Sequence, residues 1–289
     1  VLSTENFVLK PDKKQRISQG YLRYTTHLTL QNAVSSQFCS SIGLEPFGHL
    51  TTLDISLFSD ESVANVNQLI HLTSLKKLKL RVSKVSYNAE KTFLYNFVLP
   101  PNIAKLRLSL QKFKWKEVHN TKAAKRTLED FFTFHPRFLR FARQFKNATN
   151  LKSFTLSVLD PKARGCSKIM ELMAVSLFTQ ISTLETLKYY HIIAPSRDGE
   201  KFIPHSKNRP LSLGHFYQGL EPSKKSLQRI VIIAPPMIIS DLSDIRIKLP
   251  RLQTINIETQ SWVNPFKDKE NILGADNIFK TWNQKVLQR

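Results

Sequence analysis

The chain has 289 residues and carries 43 Lys and Arg against 22 Asp and Glu, a formal net charge of +21. With 41% apolar and 10% aromatic residues it can bury a sizeable core, which excludes wholesale disorder and a collagen-like chain. Cys39 and Cys166 are too few for a disulfide framework or a four-ligand zinc site, and point to a reducing, intracellular compartment, cytoplasmic or nuclear.

Mean hydropathy is −0.26. No stretch reaches the roughly 18 consecutive apolar residues of a bilayer-spanning helix, so no membrane partner is expected. The chain opens Val1-Leu2-Ser3, without Met and without the basic-then-apolar order of a signal peptide, and is expected to be a fragment or a processed chain.

In chain order, residues 1–24 are expected to cap one end of a repeat array. From Thr25 the spacing apolar-x-x-apolar-x-apolar recurs, weakly at Thr25/Leu28/Leu30 and then at Leu50/Leu53/Ile55, Leu75/Leu78/Leu80 and Ile103/Leu106/Leu108. It returns at Leu151/Phe154/Leu156, Leu184/Leu187/Tyr189, Leu227/Ile230/Ile232 and Leu252/Ile255/Ile257. Successive copies start 25, 25, 28, 48, 33, 43 and 25 residues apart, one unit length with insertions. The last two apolar positions of each copy are two apart, the period of a strand with one buried face.

Between strands the spacing turns helical: Val63, Val66, Leu69 and Ile70; then Phe138, Phe141, Ala142 and Phe145; then Ile169, Leu172, Val175, Leu177 and Phe178. Each unit is thus a strand plus a helix, too small to cover its own apolar face. Neighbouring units must stack, with the strands in one parallel sheet and the helices on its other side. Residues 261–289, with Ile272, Leu273, Ile278, Phe279, Trp282 and Val286, predict a helical cap over the last repeat. The expectation is a single domain over 1–289, with about eight repeats in 25–260 and insertions near 111–136 and 194–212.

The segments LTTLDISLF, LKKLKLRVS, IAKLRLSLQ, LKSFTLSVL and LQTINIETQ resemble leucine-rich repeats, of the long, irregular, helix-backed kind found in the substrate-recognition arms of F-box proteins. The resemblance implies an α/β solenoid with a curved parallel sheet on the concave side and helices on the convex side. It also implies a recognition scaffold, with a place in a ubiquitin ligase complex and an adaptor engaged through a region outside this chain. Many such repeats carry Asn or Cys three positions after the last leucine, forming a ladder of side-chain hydrogen bonds. Here Ser83, Gln111 and Leu159 stand near those positions, and that ladder is expected to be missing.

If the leucines turn inward, the alternating residues face out. Outward positions include Thr52, Asp54 and Ser56; Lys77, Lys79 and Arg81; Lys105, Arg107 and Ser109; and, further on, Lys188 and Val231. Lys77, Lys79, Arg81, Lys105 and Arg107 would put five cations on two adjacent strands. Residues 76–126 hold 14 Lys and Arg against Glu90 and Glu117, a net +12 in 51 residues. Isolated lysines on such a face serve solubility, whereas five neighbouring cations repel one another until an anionic partner neutralises them.

After the fourth strand, Lys112-Phe113-Lys114-Trp115-Lys116 alternates basic and aromatic residues. Either a turn near Gln111 resets the register and packs both rings, or the strand leaves the sheet and exposes Phe113 and Trp115 beside the cations. The second arrangement makes a stacking or anchoring surface. Arg137, Arg140, Arg143 and Lys146 form a stripe opposite the phenylalanines of their helix, read as its solvated outer face. The insertion at 194–212 reads as a long loop, with a hairpin signal at Asp198-Gly199.

An enzyme needs a nucleophile, a base or a metal cluster. The eight His are scattered, the glycines form no phosphate-cradling loop, and Cys166, between Arg164 and Lys168, reads as a structural thiol. No catalysis, no metal and no cofactor are expected. Two kinds of partner fit the basic surface: an acidic or phosphorylated protein surface, or a nucleic acid.

Overall fold

The computed structural model describes residues 7–9, 24–30, 47–64, 66–83, 85–111, 136–160, 167–193, 211–234, 237–238 and 248–259. The strands are β1 (Phe7–Leu9), β2 (His27–Leu30), β3 (Thr52–Leu57), β4 (Lys77–Ser83), β5 (Lys105–Gln111), β6 (Ser153–Asp160), β7 (Thr186–Ile193), β8 (Leu211–Ser212), β9 (Arg229–Ala234), β10 (Met237–Ile238) and β11 (Thr254–Thr259). Nine of them form one open sheet in the order β1-β2-β3-β4-β5-β6-β7-β9-β11. Every neighbouring pair in it is parallel. The short β8 and β10 make a separate parallel pair that the repeat spacing did not signal.

The apolar positions of the repeat align in register. Leu28, Leu53, Leu78, Leu106, Phe154, Leu187, Ile230 and Ile255 form one row across the sheet. Leu30, Ile55, Leu80, Leu108, Leu156, Tyr189, Ile232 and Ile257 form the next, and all sixteen are buried. Parallel neighbours need a crossover, and these supply the helices that cover the leucine face: α1 (Asp60–Ala64), α2 (Tyr87–Asn96), α3 (Pro136–Arg143), α4 (Ser167–Phe178) and α5 (Leu213–Leu220). Consecutive helices pack side by side.

Local chemistry sets the helix boundaries. Ser86 caps α2 by accepting from the Ala89 amide at 3.2 Å, while its own amide donates to Asp60 Oδ1 at 2.9 Å and so ties α2 to α1. A hydrogen bond from the Ser86 side chain and, after it, the one from the Ser86 amide hold the Asp60 carboxyl below its ordinary pKa. Pro136 occupies the first position of α3, where its missing amide costs nothing. The helical expectation at Ile70 fails: Val66–His71 is a 3-10 turn with three residues per turn, so Val66, Leu69 and Leu72 face inward and Ile70 is 46% exposed.

Between helices and sheet runs a chain of aromatic contacts. Phe141 meets Phe93, Phe97 and Phe145 at centroid distances of 5.7, 5.2 and 5.5 Å. Phe145 reaches Phe154 of β6 at 5.4 Å, and Phe154 reaches Phe178 of α4 at 6.1 Å. Phe178 continues to Phe216 of α5 at 6.0 Å. Gly219 lets α5 approach α4 closely, since a Cβ there would lie 2.9 Å from Val175 Cγ1 and 3.1 Å from the Val175 carbonyl oxygen.

The units are joined at the entry to each strand by a repeated backbone motif, in which one carbonyl accepts two successive amides of the next unit. Thr26 O accepts from Thr51 and Thr52, Thr51 O from Lys76 and Lys77, Lys76 O from Ala104 and Lys105, and Ala104 O from Lys152 and Ser153. Side chains reinforce it: Asn102 donates to Thr73 O at 2.8 Å, Thr183 to Leu151 O at 2.8 Å, and Ser226 to Leu184 O at 2.8 Å. Polar side chains thus bridge units at the start of the strands, an arrangement not anticipated from the positions after the leucines.

Candidate anion-binding face

The inward parity of the leucines fixes the opposite face of the sheet, and there β4 and β5 bring their cations together. Lys77 lies opposite Lys105, Lys79 opposite Arg107, and Arg81 opposite Ser109. Adjacent strands stand about 4.8 Å apart and alternate residues about 7 Å apart along a strand, so the five cations occupy one compact area. Lys77, Lys105 and Arg107 are exposed, and Lys79 and Arg81 half-buried. Like charges directly opposite each other cost about 0.2–1 kcal/mol per pair.

One carboxylate tempers this field. Asp54 on β3 accepts from Lys79 Nζ, with side chains 22% and 37% exposed, a partly solvated pair of small net strength. Among the described residues no carboxylate bridges Lys77, Arg81, Lys105 or Arg107. Apart from Asp54, the flanking outward positions on β3 and β6 carry hydroxyls, among them Thr52, Ser153, Thr155 and Ser157, which can donate to an anion's oxygens beside the charges.

Three of the outward positions are nonetheless buried. Ser56 and Ser109 are 1% and 8% exposed, and Val231 is 6% exposed. Ser56 and Ser109 flank Arg81 in its register row, and a short hydroxyl beside so long a side chain is shielded from water. Val231 stands between the longer Lys188 and Asn256. Lys188 shares the row of Arg107, but Thr155 on β6 separates them and Lys188 is half-buried, so it borders the cluster without joining it.

The strand runs through Gln111, which pairs with Ser83 and Leu159, so the register does not reset before that residue. Phe113 and Trp115 lie outside the described residues, as do the hairpin signal at Asp198-Gly199, Cys166 and the cap at 261–289. On the opposite layer Arg137, Arg140, Arg143 and Lys146 are exposed, as expected, and Arg140 sits 3.8 Å over the Tyr95 ring.

His191 was not singled out by sequence reasoning, although its position two residues after Tyr189 and four after Leu187 places it on the inward parity. It is 1% exposed beside Val158, its ring 6.4 Å from that of Tyr189, and among the described residues neither ring nitrogen has a hydrogen-bond partner. Burial lowers its pKa from 6.5 to about 4, so it is neutral at physiological pH. No group of three metal-ligating side chains occurs among the described residues. No helix there is long and apolar enough to cross a membrane. The sequence matches no family model and no curated protein.

Proposed function

We propose that the chain is a leucine-rich-repeat solenoid, with its sheet on the concave side, and that it acts as a non-enzymatic recognition scaffold for an acidic or phosphorylated protein surface. The observation that carries this reading is the cluster Lys77, Lys79, Arg81, Lys105 and Arg107 on one face of the sheet, where among the described residues Asp54 is the one carboxylate paired with it. Holding such charges together without a ligand is mildly unfavourable, and an anionic partner reverses the sign of that contribution. The resemblance to the arms of F-box proteins extends the proposal to substrate reception in an intracellular ubiquitin ligase complex.

The test uses an alternating phosphoserine–glutamate peptide and the chain with Lys77→Glu, Lys79→Glu and Arg107→Glu combined. Binding should be lost while the far-ultraviolet circular dichroism stays that of the parent. Unchanged affinity in a folded variant would refute the assignment.

A second reading, nucleic-acid binding, is favoured by the overall charge of +21 and by exposed cations on the helix layer as well as the sheet. Five phosphate contacts would give a log–log salt slope of about −3.5 on single strands and −4.5 on duplexes. Peptide binding that persists at 0.3 M salt and depends on sequence separates the two readings.

A further inference from the structure

The turns that lead into β2 to β6 line a second surface, distinct from the sheet face. A groove of about 940 Å³ runs along this edge, with Tyr24 at one end and Lys152 at the other. It crosses four strand spacings, about 19 Å. Among the described residues no carboxylate lines it. Lys76 is exposed and has no carboxylate partner among the described residues, while Lys152 holds Glu185 at 2.9 Å in a pair whose side chains are 63% and 40% exposed and therefore readily exchanged. Along the groove Asn102 donates to Thr73 O at 2.8 Å and accepts from Asn150 Nδ2 at 3.4 Å. Tyr24 is 76% exposed, the most exposed large apolar side chain among the described residues, and His49, also exposed, lines the same groove.

We infer that this edge groove is a binding site for single-stranded nucleic acid, with Tyr24 and His49 offering ring faces to bases and Lys76 and Lys152 meeting backbone phosphates. Cations alone suit any anion. Cations with exposed rings along one groove, over neutral polar side chains, match a chain that alternates charged phosphates with flat bases. An acidic peptide has no group that needs the rings, and a duplex keeps its base faces stacked and out of reach. The inference stands apart from the sheet-face proposal, because the residues involved are different.

Fluorescence anisotropy of a labelled decauridylate against the full chain provides the test, with a duplex of equal length and the phosphoserine–glutamate peptide as comparisons. Tyr24→Ala should weaken decauridylate binding about tenfold or more, and Tyr24→Phe should preserve it. Lys76→Glu should flatten the log–log salt slope by about 0.7. The Tyr24 effect should persist when Lys77, Lys79 and Arg107 are all changed to Glu. Decauridylate binding that is absent, or indifferent to Tyr24→Ala, overturns the proposal. A peptide or a duplex that shows the Tyr24 dependence in place of the single strand overturns it as well. Loss of peptide binding in the sheet-face variant speaks only to the sheet face.

Discussion

Acidification should weaken this fold through His191 in a measurable way. The folded chain holds the ring neutral because burial lowers its pKa from 6.5 to about 4, whereas the unfolded chain takes up the proton near 6.5. The unfolded state therefore binds more protons over that interval, and stability falls as pH falls from 6.5 toward 4. Between pH 7.5 and pH 5 the linkage amounts to about 2 kcal/mol, and its limit below pH 4 is about 3 kcal/mol. Other groups titrate over the same range, so the informative quantity is a difference between two proteins. Urea unfolding followed by circular dichroism at pH 7.5 and pH 5.0, on the parent and on His191→Leu, isolates it. The parent should lose about 2 kcal/mol more than the variant between the two pH values. Equal losses would show that His191 is not held neutral by burial.

Three further outcomes follow from the packing and the charge. Phe141→Ala, at the crossing of the aromatic contacts, should cost about 3–5 kcal/mol in urea unfolding, while Arg143→Ala on the exposed side of the same helix should change stability by under about 0.5 kcal/mol. Gly219→Ala should destabilise by about 1–3 kcal/mol, because the new Cβ meets both the side chain and the backbone of Val175; a neutral or stabilising result would contradict the close approach of α5 to α4. Lys105→Thr should raise the midpoint of unfolding slightly, by relieving its repulsion with Lys77, and at the same time weaken binding of the phosphoserine–glutamate peptide.

The strand half of each unit was legible because a period of two with one buried face leaves little freedom. The Leu, Ile and Phe positions read from the sequence are the ones that align in register and lie buried. The same parity placed Lys77, Lys79, Arg81, Lys105 and Arg107 on one face. The helical half was less legible, since apolar spacing alone does not distinguish 3.6 residues per turn from three, and Ile70 was misplaced for that reason. Parity also says nothing of neighbours: Ser56 and Ser109 point outward yet are shielded, because burial depends on what stands beside them. The Asp54–Lys79 pair and the groove at Tyr24 join residues 25 or more positions apart, and they emerge only once the register is known.

Lysine footprinting by acylation and mass spectrometry, with and without the phosphoserine–glutamate peptide, tests most directly whether the cations of β4 and β5 form the contact surface. Lys77 and Lys105 should be modified in the free chain and protected on binding, while Lys146 on the helix layer stays equally reactive. Protection of Lys146, with Lys77 and Lys105 unchanged, would place the partner on the other side of the molecule and contradict the account.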